Sequence, residues 1–155
     1  ALSPRTSEEV LNEFCVIMNY TPVIFHAADK SGIPIYHTNV LMCIATQFAV
    51  ICLEAIADMH EREMLIKKFS STGKEIIAIT ISQMENFAGN MLQLKNAHGE
   101  LLLIMSSRAY HSLTQQQITI LEKYNRIIHA PLNTIEQCGG GSARCMMAEV
   151  YNERI

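Results

Sequence analysis

The chain has 155 residues, of which 49% are hydrophobic and 17% charged, with a formal net charge of −3. That length and composition suit one folded domain with a real core and exclude a disordered chain. With no basic patch, no nucleic-acid partner is expected, and the longest apolar stretch, Val40 to Ile56, is broken by Thr46, Gln47 and Glu54, so no membrane span is expected. No signal peptide is recognisable. The chain opens Ala1-Leu2-Ser3-Pro4-Arg5 and runs straight into a helical pattern, which is expected of a piece of a longer protein.

Ser7 is placed to cap a helix beginning at Glu8-Glu9, with apolar residues at Val10, Leu11, Phe14, Cys15 and Met18. A short strand is expected over Val23 to Phe25, then a turn at Asp29-Lys30-Ser31-Gly32. Two β-rich runs follow, Val40 to Ala45 and Phe48 to Leu53. A helix is predicted from Met59 to Phe69, ended by Gly73, and a strand from Glu75 to Thr80. After a helical turn near Gln83-Met84-Glu85, Met91 to Leu94 and Leu101 to Met105 read as a hairpin around Asn96-Ala97-His98-Gly99. Thr114 and Gln117 form a capping box for a helix reaching Tyr124. Ile127 and Ile128 begin a strand limited by Pro131, and a last strand is expected from Cys145 to Val150.

The order of elements repeats. Asn39-Val40-Leu41-Met42 opens a strand, strand, helix, strand series, Asn90-Met91-Leu92 opens a second, and Cys145-Met146-Met147 opens a third, with a period of about fifty residues. His37 and Asn39, Gly89 and Asn90, and Arg144 and Cys145 then occupy the entrances of equivalent strands. Copies related by a pseudo-rotation would gather these entrances around one axis, so that His37 and Cys145 share a pocket.

Cys145 carries the sharpest chemical signal. It follows Gly139-Gly140-Gly141-Ser142-Ala143-Arg144. Three glycines in a row are unfavourable inside regular structure and suit a sharp bend or the close approach of a ligand. An adjacent arginine favours the thiolate, the nucleophilic form of cysteine. A cysteine in an apolar strand is otherwise an inert buried thiol, which is the reading for Cys43 and Cys52. The five cysteines, at 15, 43, 52, 138 and 145, show no Cys-x-x-Cys spacing; with nine methionines they suit a reducing cytoplasm. A cysteine nucleophile needs a proton shuttle, and His37 is the candidate, although a lone loop histidine is ordinarily a surface residue. Zinc is the weaker alternative, because no close-spaced ligand pair flanks Cys145. Asp58 and Glu54 are possible site acids, with a helix cap the plainer reading of Asp58. Glu61-Arg62-Glu63 and Lys67-Lys68 fit a solvated helix face.

The segments Tyr36-His37-Thr38-Asn39-Val40-Leu41-Met42, Phe87-Ala88-Gly89-Asn90-Met91-Leu92 and Gly139 through Met146 resemble the guanidine-modifying superfamily. That group includes arginine deiminases, dimethylarginine dimethylaminohydrolases and arginine:glycine amidinotransferases, and the likeness is greatest to bacterial arginine deiminase-related, amidinotransferase-like proteins linked to citrulline use. The resemblance implies an α/β fold, a partial pentein-type propeller of strand-strand-helix-strand modules. It also implies that residues 1–155 are a single domain forming the C-terminal half of the catalytic unit, with a catalytic carboxylate in the half upstream. An unclosed propeller would leave an apolar edge exposed.

By the same resemblance, Cys145 attacks the central carbon of a guanidino or ureido substrate and His37 moves the proton, with no metal or organic cofactor. Asn39 and Arg144 are the implied substrate-binding residues. Many members carry His-x-Asp where this chain has Asn39, which offers a hydrogen bond but no charge. An arginine deiminase or amidinohydrolase type of hydrolase is the leading expectation, in the cytoplasm, with a small-molecule substrate and, as further partners, a second copy or the N-terminal half. An amidinotransferase and a non-catalytic binding or regulatory module are the alternatives.

Overall fold

The computed structural model describes residues 1–149. Helix α1 (Glu8–Met18) starts where expected: the Ser7 side chain accepts from the Val10 N–H at 3.2 Å, and Glu8 and Glu9 sit in the first turn, where the helix dipole favours negative charge. It ends at Asn19, which takes a left-handed conformation. Of its apolar residues only Cys15 is buried, while Val10, Phe14 and Met18 remain exposed. Pattern identified the helix but did not supply a surface for it to pack on.

The strand expected over Val23 to Phe25 does not form. Phe25 is buried, but pairing is limited to one parallel bridge between Leu2 and His26, because no neighbouring strand runs alongside and Pro22 has no N–H to donate. The Asp29–Gly32 turn does form, with Asp29 Oδ1 accepting from the N–H groups of Ser31 and Ile33.

Two small sheets follow, and they share one topology. The first holds β1 (Met42–Ile44), β2 (Phe48–Ile51) and β3 (Glu75–Ala78). The second holds β4 (Leu92–Lys95), β5 (Leu101–Ser106) and β6 (Arg126–Ala130). In each, the first two strands pair antiparallel and the third lies parallel to the second. A helix makes each parallel crossover: α3 (Met59–Ser71) in the first sheet and α6 (Gln115–Glu122) in the second. The strand-strand-helix-strand repeat therefore occurs twice. No closed sheet is found among the described residues.

Several boundaries differ from expectation. The run Val40 to Ala45 divides, because α2 (Thr38–Leu41) takes its first residues and β1 only the rest. Strand β2 stops at Ile51, and Leu53–Ala55 form a 3₁₀ turn. Helix α4 (Ile81–Glu85) has a full capping box from Thr80 and Gln83, and α5 (Ser107–Ser112) was unforeseen. Helix α6 carries the expected Thr114–Gln117 box but ends at Glu122. Another unforeseen helix, α7 (Asn133–Gly139), absorbs the first glycine of the triple run; Gly140 caps it at φ 66°. The strand expected from Cys145 does not form: Ala143–Met146 are a 3₁₀ turn and Met147 to Glu149 are irregular, while Val150 lies outside the described residues.

One apolar cluster joins the two modules. Phe48, Leu41, Ile51 and Ile56 from the first meet Met91, Leu103, Met105 and Leu121 from the second, all essentially without solvent contact. Cys43 and Cys52 are buried in it as small hydrophobes, and all five cysteines are free. Two amides, buried Gln83 and half-buried Gln117, lock the seam. Gln83 Nε2 donates to the Ser112 carbonyl at 2.9 Å and to Gln117 Oε1 at 2.7 Å, and Gln117 Nε2 donates to the Ala78 carbonyl at 2.7 Å. No helix among the described residues is long and apolar enough to cross a membrane.

Candidate active site

The three segments expected at strand entrances meet, although only the one at Asn90 leads into a strand without a helical turn of its own. Asn90 is 2% exposed, and its Nδ2 donates to the Asn39 backbone carbonyl at 2.9 Å. The Asn90 carbonyl in turn accepts from the Arg144 N–H at 3.4 Å. Segments some fifty residues apart are thus hydrogen-bonded in series, 39 to 90 to 144.

Gly89 permits this approach. A β-carbon there would stand 2.4 Å from the Val40 carbonyl oxygen and 2.8 Å from the Leu41 carbonyl carbon, both backbone atoms that cannot step aside.

Cys145 stands at this junction, exposed, on the 3₁₀ turn. Its Sγ receives the Asn90 Nδ2 at 3.2 Å and the Asn39 Nδ2 at 3.9 Å. The amide oxygens of both asparagines are buried and without a partner. The glycine run works here by close approach: a β-carbon on Gly141 would lie 3.0 Å from Cys145 Cβ and 3.1 Å from its Sγ. The Ser142 carbonyl accepts the Cys145 N–H at 3.0 Å, and the Ser142 hydroxyl donates to Glu136 Oε1 at 2.7 Å inside the protein.

His37 is the exposed residue preceding α2. Its ring packs edge-on against Tyr36 at 4.7 Å, and the Tyr36 hydroxyl donates to the Gly140 carbonyl at 3.2 Å. His37 is therefore flanked by one residue tied to the glycine run and, two positions on, by Asn39 at the thiol. Among the described residues no hydrogen bond joins His37 to Cys145.

The Arg144 guanidinium donates to the Met147 carbonyl at 3.3 Å. It lines a cavity of about 550 Å³ with Asn39, Thr46, Gln93 and Glu149, and Cys43 forms part of its wall. Burial pushes the Cys43 thiol up to about 12, against opposing pulls from a backbone hydrogen bond at Gln93 and the Arg144 charge, so this second thiol is protonated and inert at neutral pH.

The acids considered as site groups lie elsewhere. Asp58 caps α3, its Oδ1 accepting from the N–H groups of His60 and Glu61, which hold its carboxyl below the usual range. Glu54 Oε2 accepts the Ile81 N–H at the start of α4. Among the described residues no three His, Cys, Asp or Glu side chains are grouped closely enough to hold a metal ion.

Two participants escaped the residue-by-residue reading. Asn90 was placed at a strand entrance without a role; the recurrence of asparagine at the equivalent positions 39 and 90 was its signal. Glu136 gave none, because nothing local marks a glutamate on an amphipathic turn as buried.

The sequence profile of the family described as N,N dimethylarginine dimethylhydrolase, eukaryotic, matches residues 1–152. The chain belongs to this family. The dimethylarginine hydrolase family falls within the guanidine-modifying, pentein superfamily that the motifs resemble. Among solved structures, the chain is similar to the ligand-free form of ArgZ, an arginine dihydrolase from the ornithine-ammonia cycle in cyanobacteria, with a TM-score of 0.69 and 15% identity. The match covers 91% of this chain and 20% of the ArgZ chain, so the chain spans a fifth of that protein's length. At that identity the likeness is one of fold. No curated protein matches the chain.

Proposed function

We propose that the full protein is a guanidino-group hydrolase with Cys145 as its nucleophile. The observation that carries this reading is the convergence of the Asn39 and Asn90 amides on the Cys145 sulfur, in a chain of the dimethylarginine hydrolase family. Hydrogen bonds from neutral N–H donors favour a sulfur that bears negative charge, which is the state a nucleophile needs.

In this reading the Cys145 thiolate forms a C–S bond to the central guanidino carbon. The C–N bond to one nitrogen breaks, and His37 gives that nitrogen its proton, so an amine leaves and a covalent thiouronium-type intermediate remains. His37 then takes a proton from water as the water oxygen adds to the same carbon. The C–S bond breaks, returning the thiolate and releasing a ureido product. We assign Arg144, on the wall of the adjacent cavity, to the carboxylate of an amino-acid substrate. N,N-dimethylarginine, named for the family, and arginine, named for ArgZ, are the substrates of first choice.

We further read residues 1–155 as one part of a larger pentein propeller. Two modules of identical topology support this, and the exposed apolar residues of α1, Val10, Phe14 and Ile17, are surface that additional modules could cover.

The test is turnover in the full-length protein. Cys145→Ala is expected to abolish it, and His37→Ala to abolish it while substrate binding largely survives. Turnover persisting in the first variant overturns the nucleophile, and persisting in the second overturns the proton shuttle. Mass spectrometry after treatment with 2-chloroacetamidine should find the label on Cys145 in preference to exposed Cys138. Equal labelling of the two favours a non-catalytic module.

A further inference from the structure

The orientation of the Asn90 side chain is set by its surroundings. The Asn39 carbonyl can only accept, so the Asn90 nitrogen must face it at 2.9 Å. The same nitrogen has one more N–H, and the Cys145 sulfur lies 3.2 Å away. Both donors are thereby spent, one on the chain and one on the nucleophile. The oxygen of the same planar amide is buried and has no partner. In a residue 2% exposed, an amide oxygen without a partner calls for a donor, because buried polar groups are ordinarily satisfied.

We infer that Asn90 is a bifunctional residue of the site, donating to the Cys145 sulfur through Nδ2 and accepting an N–H of the bound substrate through Oδ1. This rests on the proposed guanidino chemistry and extends it. A guanidino or amidine group whose carbon is at the sulfur carries N–H donors around that carbon. Asn39 offers the same pair of atoms from the equivalent strand entrance, its Nδ2 at 3.9 Å from the sulfur and its Oδ1 also buried and unpartnered. The repeat thus sets two amides at the nucleophile, each with its nitrogen toward the sulfur and its oxygen free. Their acceptors are neutral, so they recognise N–H groups by geometry and leave compensation of substrate charge to other groups.

Two variants separate the two atoms. Asn90→Asp keeps an acceptor, removes the donor and adds a negative charge; Asn90→Ala removes both donor and acceptor and adds no charge. Each is made in the full-length protein, checked for a cooperative thermal transition, and followed by mass spectrometry at Cys145 with two alkylating reagents. 2-Chloroacetamidine presents N–H donors, whereas N-ethylmaleimide has none. Asn90→Asp is expected to react at least about tenfold more slowly with N-ethylmaleimide, because one hydrogen bond to the sulfur is lost and a carboxylate charge stands beside the thiolate, and to prefer the cationic amidine at least as strongly as wild type. Asn90→Ala, which adds no charge, is expected to react about tenfold more slowly with N-ethylmaleimide, the loss of one hydrogen bond to charge, and to lose about tenfold of the preference for the amidine.

An unchanged maleimide rate in Asn90→Ala overturns the donor role. A preference retained in Asn90→Ala overturns the acceptor role, because a merely structural residue moves both reagents together. Should the wild type itself show no preference for the amidine at Cys145, it is the guanidino reading that fails. A drop in maleimide rate would then still report the donor.

Discussion

The Ser142 hydroxyl donates to Glu136 Oε1 at 2.7 Å, and both residues are buried. This bond ties the end of the glycine run back onto α7 three residues before the cysteine on the 3₁₀ turn. Because the Ser142 carbonyl also holds the Cys145 N–H, the position of the nucleophile depends on Glu136, a residue that touches no part of the site. Glu136→Ala strands the Ser142 hydroxyl and is expected to cost about 1–3 kcal/mol. It should also slow alkylation of Cys145 by freeing the loop. Urea denaturation and labelling kinetics check the two effects, and a variant as stable and as reactive as wild type would contradict this assignment.

Gly89→Ala tests the seam between the modules. The new β-carbon would fall 2.4 Å from the Val40 carbonyl oxygen, so the two entrances must separate. A loss of about 1–3 kcal/mol, toward the upper end because backbone is what must move, is expected. Asn90 would be drawn away from Asn39 and from the sulfur, so Cys145 labelling should fall along with the melting temperature. Stability lost with labelling intact would show that the approach of the chains matters for packing alone.

Asp58→Ala separates a cap from a catalytic acid. Its carboxylate serves the first N–H groups of α3 and stands on an exposed surface. A melting temperature lowered by a few degrees with kcat and KM unchanged is expected. A fall in kcat at unchanged stability would return Asp58 to the site.

The buried thiols predict a response to alkali. Cys43 is held up to about 12 by burial, from an ordinary 9.0, and Cys52 is raised for the same reason. Between those values the unfolded chain releases protons that the folded chain keeps. Stability is therefore complete below about pH 9 and declines as pH climbs toward 12. Tyr124, raised by its hydrogen bond to Glu75, adds in the same direction. Cys43→Ala should make this decline shallower whatever it does to stability at neutral pH. Denaturant midpoints measured across the alkaline range give the slope, and an unaltered slope would contradict the assignment. Under neutral conditions Cys43 should resist alkylation while Cys145 reacts.

Local signals served well where the governing interaction is local. Ser7, Asp58 and Thr114 mark their helices because a cap is made within three or four residues. The hairpin of β4 and β5 was legible in its turn, and the repeat was legible in the order of elements. Val23 to Phe25 misled because a strand needs a neighbour, which sequence pattern does not reveal. The run at Val40 misled because a helical turn of apolar residues resembles a short buried strand. The glycine run suggests a sharp bend or the approach of a ligand, yet Gly139 ends a helix and Gly141 acts by letting the cysteine come close.

By itself the sequence determined the kind of protein this is: a core-rich α/β chain with a recurring strand-strand-helix-strand unit and a cysteine set apart by its glycine-rich approach. It also brought His37, Asn39, Arg144 and Cys145 forward as the residues to watch. Only the tertiary structure decided which groups face the thiol. Asn90 and Asn39 reach it from 55 and 106 residues away, through contacts that exist only once two sheets have packed and Gly89 has let their entrances touch. Long-range convergence depends on packing, where each contact is set by every element between, so it leaves no mark within the few residues over which sequence patterns act.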